Sequence, residues 1–531
     1  MSISPVRLTV LEAGLSDLDW RQIKRGLEKE SLRMTPKGTL AQTPHPRALG
    51  SALTHPYITT DFSEALLEFI TDPASNIDAA LAQLESIHRY TYTNLGEEML
   101  WVNSMPCILP ADDGIPVAQY GSSHIARMKT IYRRGLGHRY GRLMQTIAGI
   151  HFNFSLPDNF WRVLRDLENN RDDLQQFRTD GYFYLIRNFR RYFWLLLYLF
   201  GASPAVCPTF VKGRQHRLVP FSDDNKSLFG PTATSLRMGD LGYQSTAQQS
   251  IAINYNSLPD YLAALCNAIT KPHPDYAAIG VKNAANQYQQ LNTGILQIEN
   301  EFYSTVRPKR STRRGETALH ALFDRGVEYV EVRCVDLDPF LPLGIDAVQM
   351  RFLDTFLLYC ALADSPFADD DENRRVRENQ MRIVYSGRDP NLRLLNRTKE
   401  RPFRDWARHL LEEFAAVAQS LDRANGGDAY QRALAQQRQK IDDPELTPAA
   451  QVLATMAQEN LSFFEFGLAK ANEHNRYFRQ LPLAATEEKR FRELAEHSLQ
   501  EQAQLEAADS GDFASYLDNF YGQYQPCSNC G

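Results

Sequence analysis

Between Val327 and Phe340 the chain reads VEYVEVRCVDLDPF, and its first seven residues alternate with the period of a β-strand. Successive strand side chains stand on opposite faces. Tyr329, Glu331 and Arg333 therefore share one face, while Val330, Val332 and Val335 pack within or beneath the sheet. An acid and an arginine so placed can form an ion pair on a solvated face. They can equally serve a cation and a phosphate held together, since carboxylates suit Mg2+ and a guanidinium fork matches phosphate oxygens. What separates the two is whether other strands bring acids to the same place.

Several segments are candidates. Gly26 to Met34 (GLEKESLRM) alternates, with Glu28 and Glu30 on one face. Alternate strand residues are about 6.6 Å apart, and their carboxylates can lean together over ions about 4 Å apart or each hold one. Tyr57 to Pro73 reads two ways. Asp61 is a helix N-cap with Glu64 behind it, or the segment is a hairpin ending in a strand, Leu66 to Thr71, that carries Glu68; a run this short leaves both open. Met144 to Phe154 is expected as a strand with Gln145, His151 and Asn153 on one face. Leu291 to Val306 alternates to give Gln297, Glu299, Glu301 and Tyr303 a common face, and the loop RPKRSTRR that follows holds five basic residues in eight. Such a loop is a solvated face or one wall of a polyphosphate site. Tyr132, Arg133 and Arg134 lie on a basic helix, Ser123 to Tyr140, and Arg237 and Tyr243 flank glycines in a loop that can approach a ligand closely.

So many acids cannot share a cavity without cations, because unpaired buried carboxylates are too costly. Two or three Mg2+ ions would compensate them, with Arg333 and the RPKR loop, Arg310 included, meeting phosphates. The chain has neither a GxxxxGK[ST] nor a GxGxxG motif. The residues thus predict a multi-magnesium nucleotide site on an antiparallel sheet. With 58 basic against 64 acidic residues, the net charge of −6 gives no reason to expect nucleic acid. Seven cysteines, an odd number, predict a reducing compartment rather than a disulfide framework. The longest apolar run, Tyr192 to Ala202, is too short to span a bilayer, and the N-terminus is not a signal peptide. A cytoplasmic protein without a membrane partner is expected. From Ile345 onward the pattern is helical, ending in a Cys527-x-x-Cys530 tail that is a weak signal for zinc or redox chemistry.

The stretches IKRGLEKESLRM, LGSALTHPYITTDFSEALLEFIT, YGRLMQTIAGIHFNFSLP, YLFGASPAVC, TSLRMGDLGY, LQIENEFYSTVRPKR and VEYVEVRCVDLDPF closely resemble, in that order, the proteobacterial glutamate–cysteine ligase family. The resemblance implies an α+β fold like the catalytic domain of glutamine synthetase, an antiparallel sheet curled into a half-open tunnel with helices outside. It implies a catalytic domain over 1–395 and a helical region over 396–520 packed on it; residues 521–531, with the CxxC, read as a flexible tail. It also implies ATP-dependent joining of the L-glutamate γ-carboxylate to the amine of L-cysteine, the first step of glutathione synthesis, with Mg2+ at the metal sites and Mn2+ able to substitute. Metal ligands would be Glu28, Glu30, Asp61, Glu68 and Glu331, with His151 beside them. Tyr132, Gln145, Tyr243 and Tyr303 would shape the cysteine pocket. Arg237 and Arg333 would neutralise phosphate and carboxylate oxygens, and a monomer is expected. The nearest alternative is a related ligase with another amine acceptor. Cys207 matches a common family cysteine but has no evident partner, and Cys527 and Cys530 inherit no role.

Overall fold

In the computed structural model, residues 5–524 are described apart from 107, 243–245, 250 and 252. A seven-stranded sheet carries the site. Its strands are β1 (Lys24–Met34), β2 (Ile58–Thr60), β3 (Leu66–Ile70), β4 (Met99–Leu100) and β5 (Ile150–Ser155). Three short strands, β6 (Ala205–Val206), β7 (Val219–Pro220) and β8 (Leu228–Phe229), form a separate small sheet. The main sheet is completed by β9 (Val306–Lys309) and β10 (Tyr329–Val335). Its order is β2-β3-β1-β5-β10-β9, with β4 paired to β1, and every pairing is antiparallel.

Strand register sorts the side chains into two faces. Glu28 stands opposite His151, Glu30 opposite Glu68, Asn153 opposite both Gly26 and Glu331, and Arg307 opposite Glu331. Directly opposed residues in an antiparallel pair project to the same side, so these acids and bases form one polar face. The reverse face carries Leu27, Phe69, Phe152, Val306, Val330 and Val332, none of them exposed. Between Val332 and Val335 the β10 register shifts. That bulge turns Val335 into the core, although simple alternation would set it beside Glu331.

Helices cover the apolar face. Ile77–Asn94 packs on β1 and β3, Leu174–Tyr192 and Trp194–Phe200 pack on β9 and β10, and Ala347–Leu362 packs on Leu174–Tyr192. The C-terminal helices add to the same core, which runs from Leu8 to Tyr524. Phe403–Asn425 and Ala429–Asp442 lie against Ala347–Leu362, Phe463–Gln480 against Ile77–Asn94, and Phe513–Gly522 against His124–Tyr140. One buried ion pair joins the first strand to this region, Arg25 to Asp354 at 2.7 Å, with Tyr430 donating to the same carboxylate at 3.1 Å.

The fold decides one open alternative and corrects four expectations. Tyr57 to Pro73 is a hairpin, β2 and β3, rather than a capped helix. Leu291 to Val306 is not a strand; Glu299–Glu301 is one turn of 3-10 helix. Long-range partners account for this. Glu301 is buried against Arg139 at 3.0 Å, and Glu299 accepts backbone N–H groups at the start of the helix Ala318–Arg325. The strand expected from Met144 begins only at Ile150, because Leu143–Thr146 is also 3-10. Cys207 is disulfide-bonded, which cysteine usage did not predict, whereas Cys266, Cys334 and Cys360 are buried thiols. Of the residues expected in a tail, Tyr521 donates to the Gln297 carbonyl at 2.9 Å and Tyr524 to Glu299 at 2.5 Å, and Tyr524 is fully buried. Cys527 and Cys530 lie outside the described residues.

Candidate active site

The polar face gathers its acids around His151. Its Nδ1 lies 3.0 Å from Glu28 Oε2 and 3.5 Å from Glu331 Oε1, and its Nε2 lies 3.8 Å from Glu30 Oε1. One ligand atom each from Glu28, His151 and Glu331 fall within 4.8 Å of one another. Asn153 Nδ2 donates to Glu28 Oε1 at 2.8 Å, and the Gly149 amide donates to Glu30 Oε2 at 2.8 Å. These bonds aim the carboxylates before any ligand arrives. Glu68 stands on β3 across from Glu30. Asp61 sits in the hairpin turn, its amide bonded to the Leu66 carbonyl at 3.0 Å and its own carbonyl accepting from Arg133 and Tyr120.

Charge is unevenly compensated along this face. Burial pushes Glu331 upward, but Lys309, Arg333, His151 and Arg307 outweigh it and hold the carboxyl well below the usual range. For Glu28, burial and the Glu331 charge push upward, and His151 with Lys309 reverses them. At the β3 end the balance is opposite. Burial, followed by Glu28, Asp61 and Glu30, raises Glu68 well above an ordinary glutamate, with only Arg133 opposing. Glu30 is raised as well, chiefly by burial. The face therefore runs from a cation-rich end at β9 and β10 to an acid-rich end at β1 and β3.

Two arginines border it. Arg333 Nη1 lies 3.0 Å from Glu331 Oε1 and 3.4 Å from His151 Nδ1. Arg237, almost fully buried, donates through Nη2 to the Arg333 carbonyl at 2.9 Å. Asp336 lies behind Arg237 at 3.7 Å and accepts hydrogen bonds from the Ala202 amide, Ser203 and Ser235. Alternation gives Asp336 no role, and the partners that give it a task come from two distant loops. Arg310 does not reach the face; it bonds the Arg325 carbonyl at 3.0 Å and pairs with Glu328. The basic residues that do reach it are Arg307 and Lys309, at 4.0 and 3.5 Å from Glu331 Oε2. Alternation along RPK, carried from the facing β10 residues, was the available signal.

Near Arg307 lies a smaller aromatic group. Gln145 Nε2 donates to the Tyr303 hydroxyl at 2.8 Å, and the Tyr303 amide donates to Gln248 at 2.9 Å. Burial and the charges of Glu301 and Tyr303 raise the Tyr132 hydroxyl well above an ordinary tyrosine. These three predicted residues are thus brought together, with Gln248 as an unpredicted brace. Tyr243 lies outside the described residues.

A divalent cation fits the acid face. Its donors are hard carboxylate oxygens and one imidazole, the set that suits Mg2+ or Mn2+. Glu331 Oε2 is buried and makes no hydrogen bond, and the mutual upward push on Glu68 is what a bound cation would relieve.

Comparison with known proteins identifies relatives over nearly the whole length. Residues 8–383 match the family model described as glutamate–cysteine ligase. The glutamate–cysteine ligase of Alcanivorax borkumensis is 51% identical over 503 residues, 94% of this chain and 95% of the relative. That of Pseudomonas entomophila is 50% identical over 519 residues, covering 98% and 96%. Among solved structures, glutamate–cysteine ligase from Francisella tularensis in complex with AMP superposes with a TM-score of 0.89 at 37% identity, covering 95% of this chain and 98% of that one. A bifunctional glutathione synthetase from Pasteurella multocida gives a TM-score of 0.70 at 27% identity, covering 89% of this chain and 55% of that one.

Proposed function

The chain belongs to the glutamate–cysteine ligase family, and from that premise we infer that its polar sheet face joins the γ-carboxylate of L-glutamate to the amine of L-cysteine at the expense of ATP. The observation that carries this reading is the convergence of Glu28, His151 and Glu331 within 4.8 Å, flanked by Lys309, Arg307 and Arg333. Acids for metals and bases for phosphates lie on one rigid surface, as phosphoryl transfer needs. A relative crystallised with AMP supports an adenine nucleotide there.

A carboxylate is a poor electrophile. A γ-carboxylate oxygen of glutamate attacks the γ-phosphorus of ATP, the bond to the bridging oxygen breaks, and ADP leaves behind an acyl phosphate. The cysteine nitrogen then forms the amide bond as phosphate departs and the amine loses a proton. Glu28, Glu30, Asp61, Glu68 and Glu331, with His151 beside them, would hold two or three Mg2+ ions. When bound, these supply positive charge that offsets the anions of the transferring group. Arg333, Arg307 and Lys309 meet phosphate oxygens, and Arg237, buried and held by Asp336, neutralises oxygens of the glutamyl phosphate. Donors fixed before reaction need no reorganisation as charge develops. Tyr132, Gln145 and Tyr303 form the acceptor pocket, with Tyr243 assigned to it by the family motif. We place the enzyme in the cytoplasm as a monomer, with residues 1–395 as the catalytic domain and the helices beyond as its buttress.

An acceptor panel tests the amine assignment. Cysteine is expected to exceed alanine and glycine in kcat/KM by at least tenfold, with 2-aminobutyrate between. Equal values across the panel would leave the ligation but remove the cysteine pocket.

A further inference from the structure

The helix His124–Tyr140 has a second functional side. Residues three and four apart share a helix face, so Arg127, Thr130, Ile131 and Arg134 form a stripe turned away from Tyr132 and Arg133. This stripe walls a cleft of about 700 Å3, closed by the loop from Lys282 to Tyr288 and by Phe513 at the start of the C-terminal helix. That volume lies within the range of small-molecule sites, about 300–1,000 Å3.

Three cations enter the cleft from segments far apart in the chain. The Arg127 guanidinium lies over the Phe513 ring at 4.4 Å and the Lys282 ammonium over the Tyr288 ring at 4.5 Å. The two rings meet edge to face at 5.2 Å. Arg134 donates one Nη1 bond to the Tyr288 carbonyl at 2.7 Å. A guanidinium lying over a ring keeps its in-plane N–H groups available. Among the described residues, no carboxylate lies within 4.0 Å of any of these three cations. One acid, Asp512, also lines the cleft; it and the other acids nearby accept backbone amides. Asp512 caps the C-terminal helix by accepting from the Ser515 amide at 2.9 Å, Glu506 accepts from the Ser122 amide at 2.8 Å, and Asp509 accepts from the His124 amide. Gln119, Asn286 and Gln287 supply neutral polar groups to the walls.

We propose that this cleft binds a small polyanion, a molecule carrying two or more phosphate or carboxylate groups, at a position separate from the ligation face. Occupancy would be felt there through one helix, since Arg133, beside Arg134, bonds the Asp61 carbonyl on the opposite side.

Calorimetry on the full chain in EDTA and 0.15 M NaCl tests this, with sodium tripolyphosphate and sodium citrate as probes. EDTA removes the metal ions that would hold either probe at the acid-rich end of the ligation face. The wild type is expected to bind one equivalent of at least one probe; binding of tripolyphosphate alone or citrate alone supports the site and identifies its anion. The double variant Arg127→Ala, Lys282→Ala should bind at least tenfold more weakly with an unchanged melting temperature, and Glu68→Gln should bind as the wild type does. Arg134 is left in place because it holds the loop. No heat from either probe on the wild type, undiminished binding in the double variant, or equal loss in Glu68→Gln would overturn the proposal.

Discussion

Arg237 occupies the space that a side chain on Gly149 would need: a Cβ at Gly149 would lie 2.0 Å from Arg237 Nη2. The same glycine donates its amide to Glu30 at 2.8 Å. One position without a side chain thus lets a buried cation and a carboxylate of the acid face approach from opposite sides. Gly149→Ala should fold, because the backbone there is not in the left-handed region, yet displace Arg237. A fall in kcat of about 100-fold is expected, the size seen when one preorganised donor is lost. Steady-state kinetics beside a melting curve check it, and a rate within twofold of wild type would remove Arg237 from the reaction.

Asp354 links β1 to the C-terminal helices through Arg25 and Tyr430. Both charges are buried, and burial raises the Asp354 carboxyl despite its partner. Removing one member of such a pair strands the other, at about 3–5 kcal/mol. Asp354→Ala should lose that much stability in urea denaturation. Adding Arg25→Met should restore most of it, since an apolar pair leaves no stranded charge.

His55 accepts the Tyr57 and Ile58 amides on Nδ1, at 3.1 and 2.9 Å. Burial lowers its pKa to about 4 from an ordinary 6.5. Between those values the unfolded chain binds a proton that the folded chain does not, so this histidine's contribution is whole above pH 6.5 and is lost as pH falls toward 4. Glu68 acts oppositely, its raised carboxyl favouring the fold as pH drops. Comparison with His55→Gln isolates the histidine: from pH 7 to pH 5 the wild type should lose more stability than the variant. Parallel profiles would contradict the assignment.

The acid face was legible where alternation and geometry agree. Glu28, Glu30, Glu331 and His151 were placed by period-two reading of three segments that became neighbouring strands. Glu299 and Glu301 show the same local pattern and failed, because Arg139, Tyr524 and a helix start claim their carboxylates from elsewhere in the chain. Arg310 failed for a related reason. Register on β10 sets Arg307 and Lys309 inward, and register is a property of the pair, not of one strand. Val335 packs in the core as expected, through a bulge that plain alternation does not contain. The residues leave Asp61 between two readings, and the grouping of Tyr132, Gln145 and Tyr303 came from family resemblance alone, since a helix, a 3-10 turn and a loop share no period.

The central claim is that this face couples ATP cleavage to amide formation. It is tested most directly by measuring ADP release with Mg2+ and ATP, adding glutamate and cysteine singly and together, for the wild type and for Glu331→Gln. Sustained, stoichiometric ADP and γ-glutamylcysteine only when both amino acids are present, and loss of nearly all turnover in a folded Glu331→Gln, is the predicted result. ADP release independent of the amine, or wild-type turnover with normal Mg2+ dependence in Glu331→Gln, would contradict it.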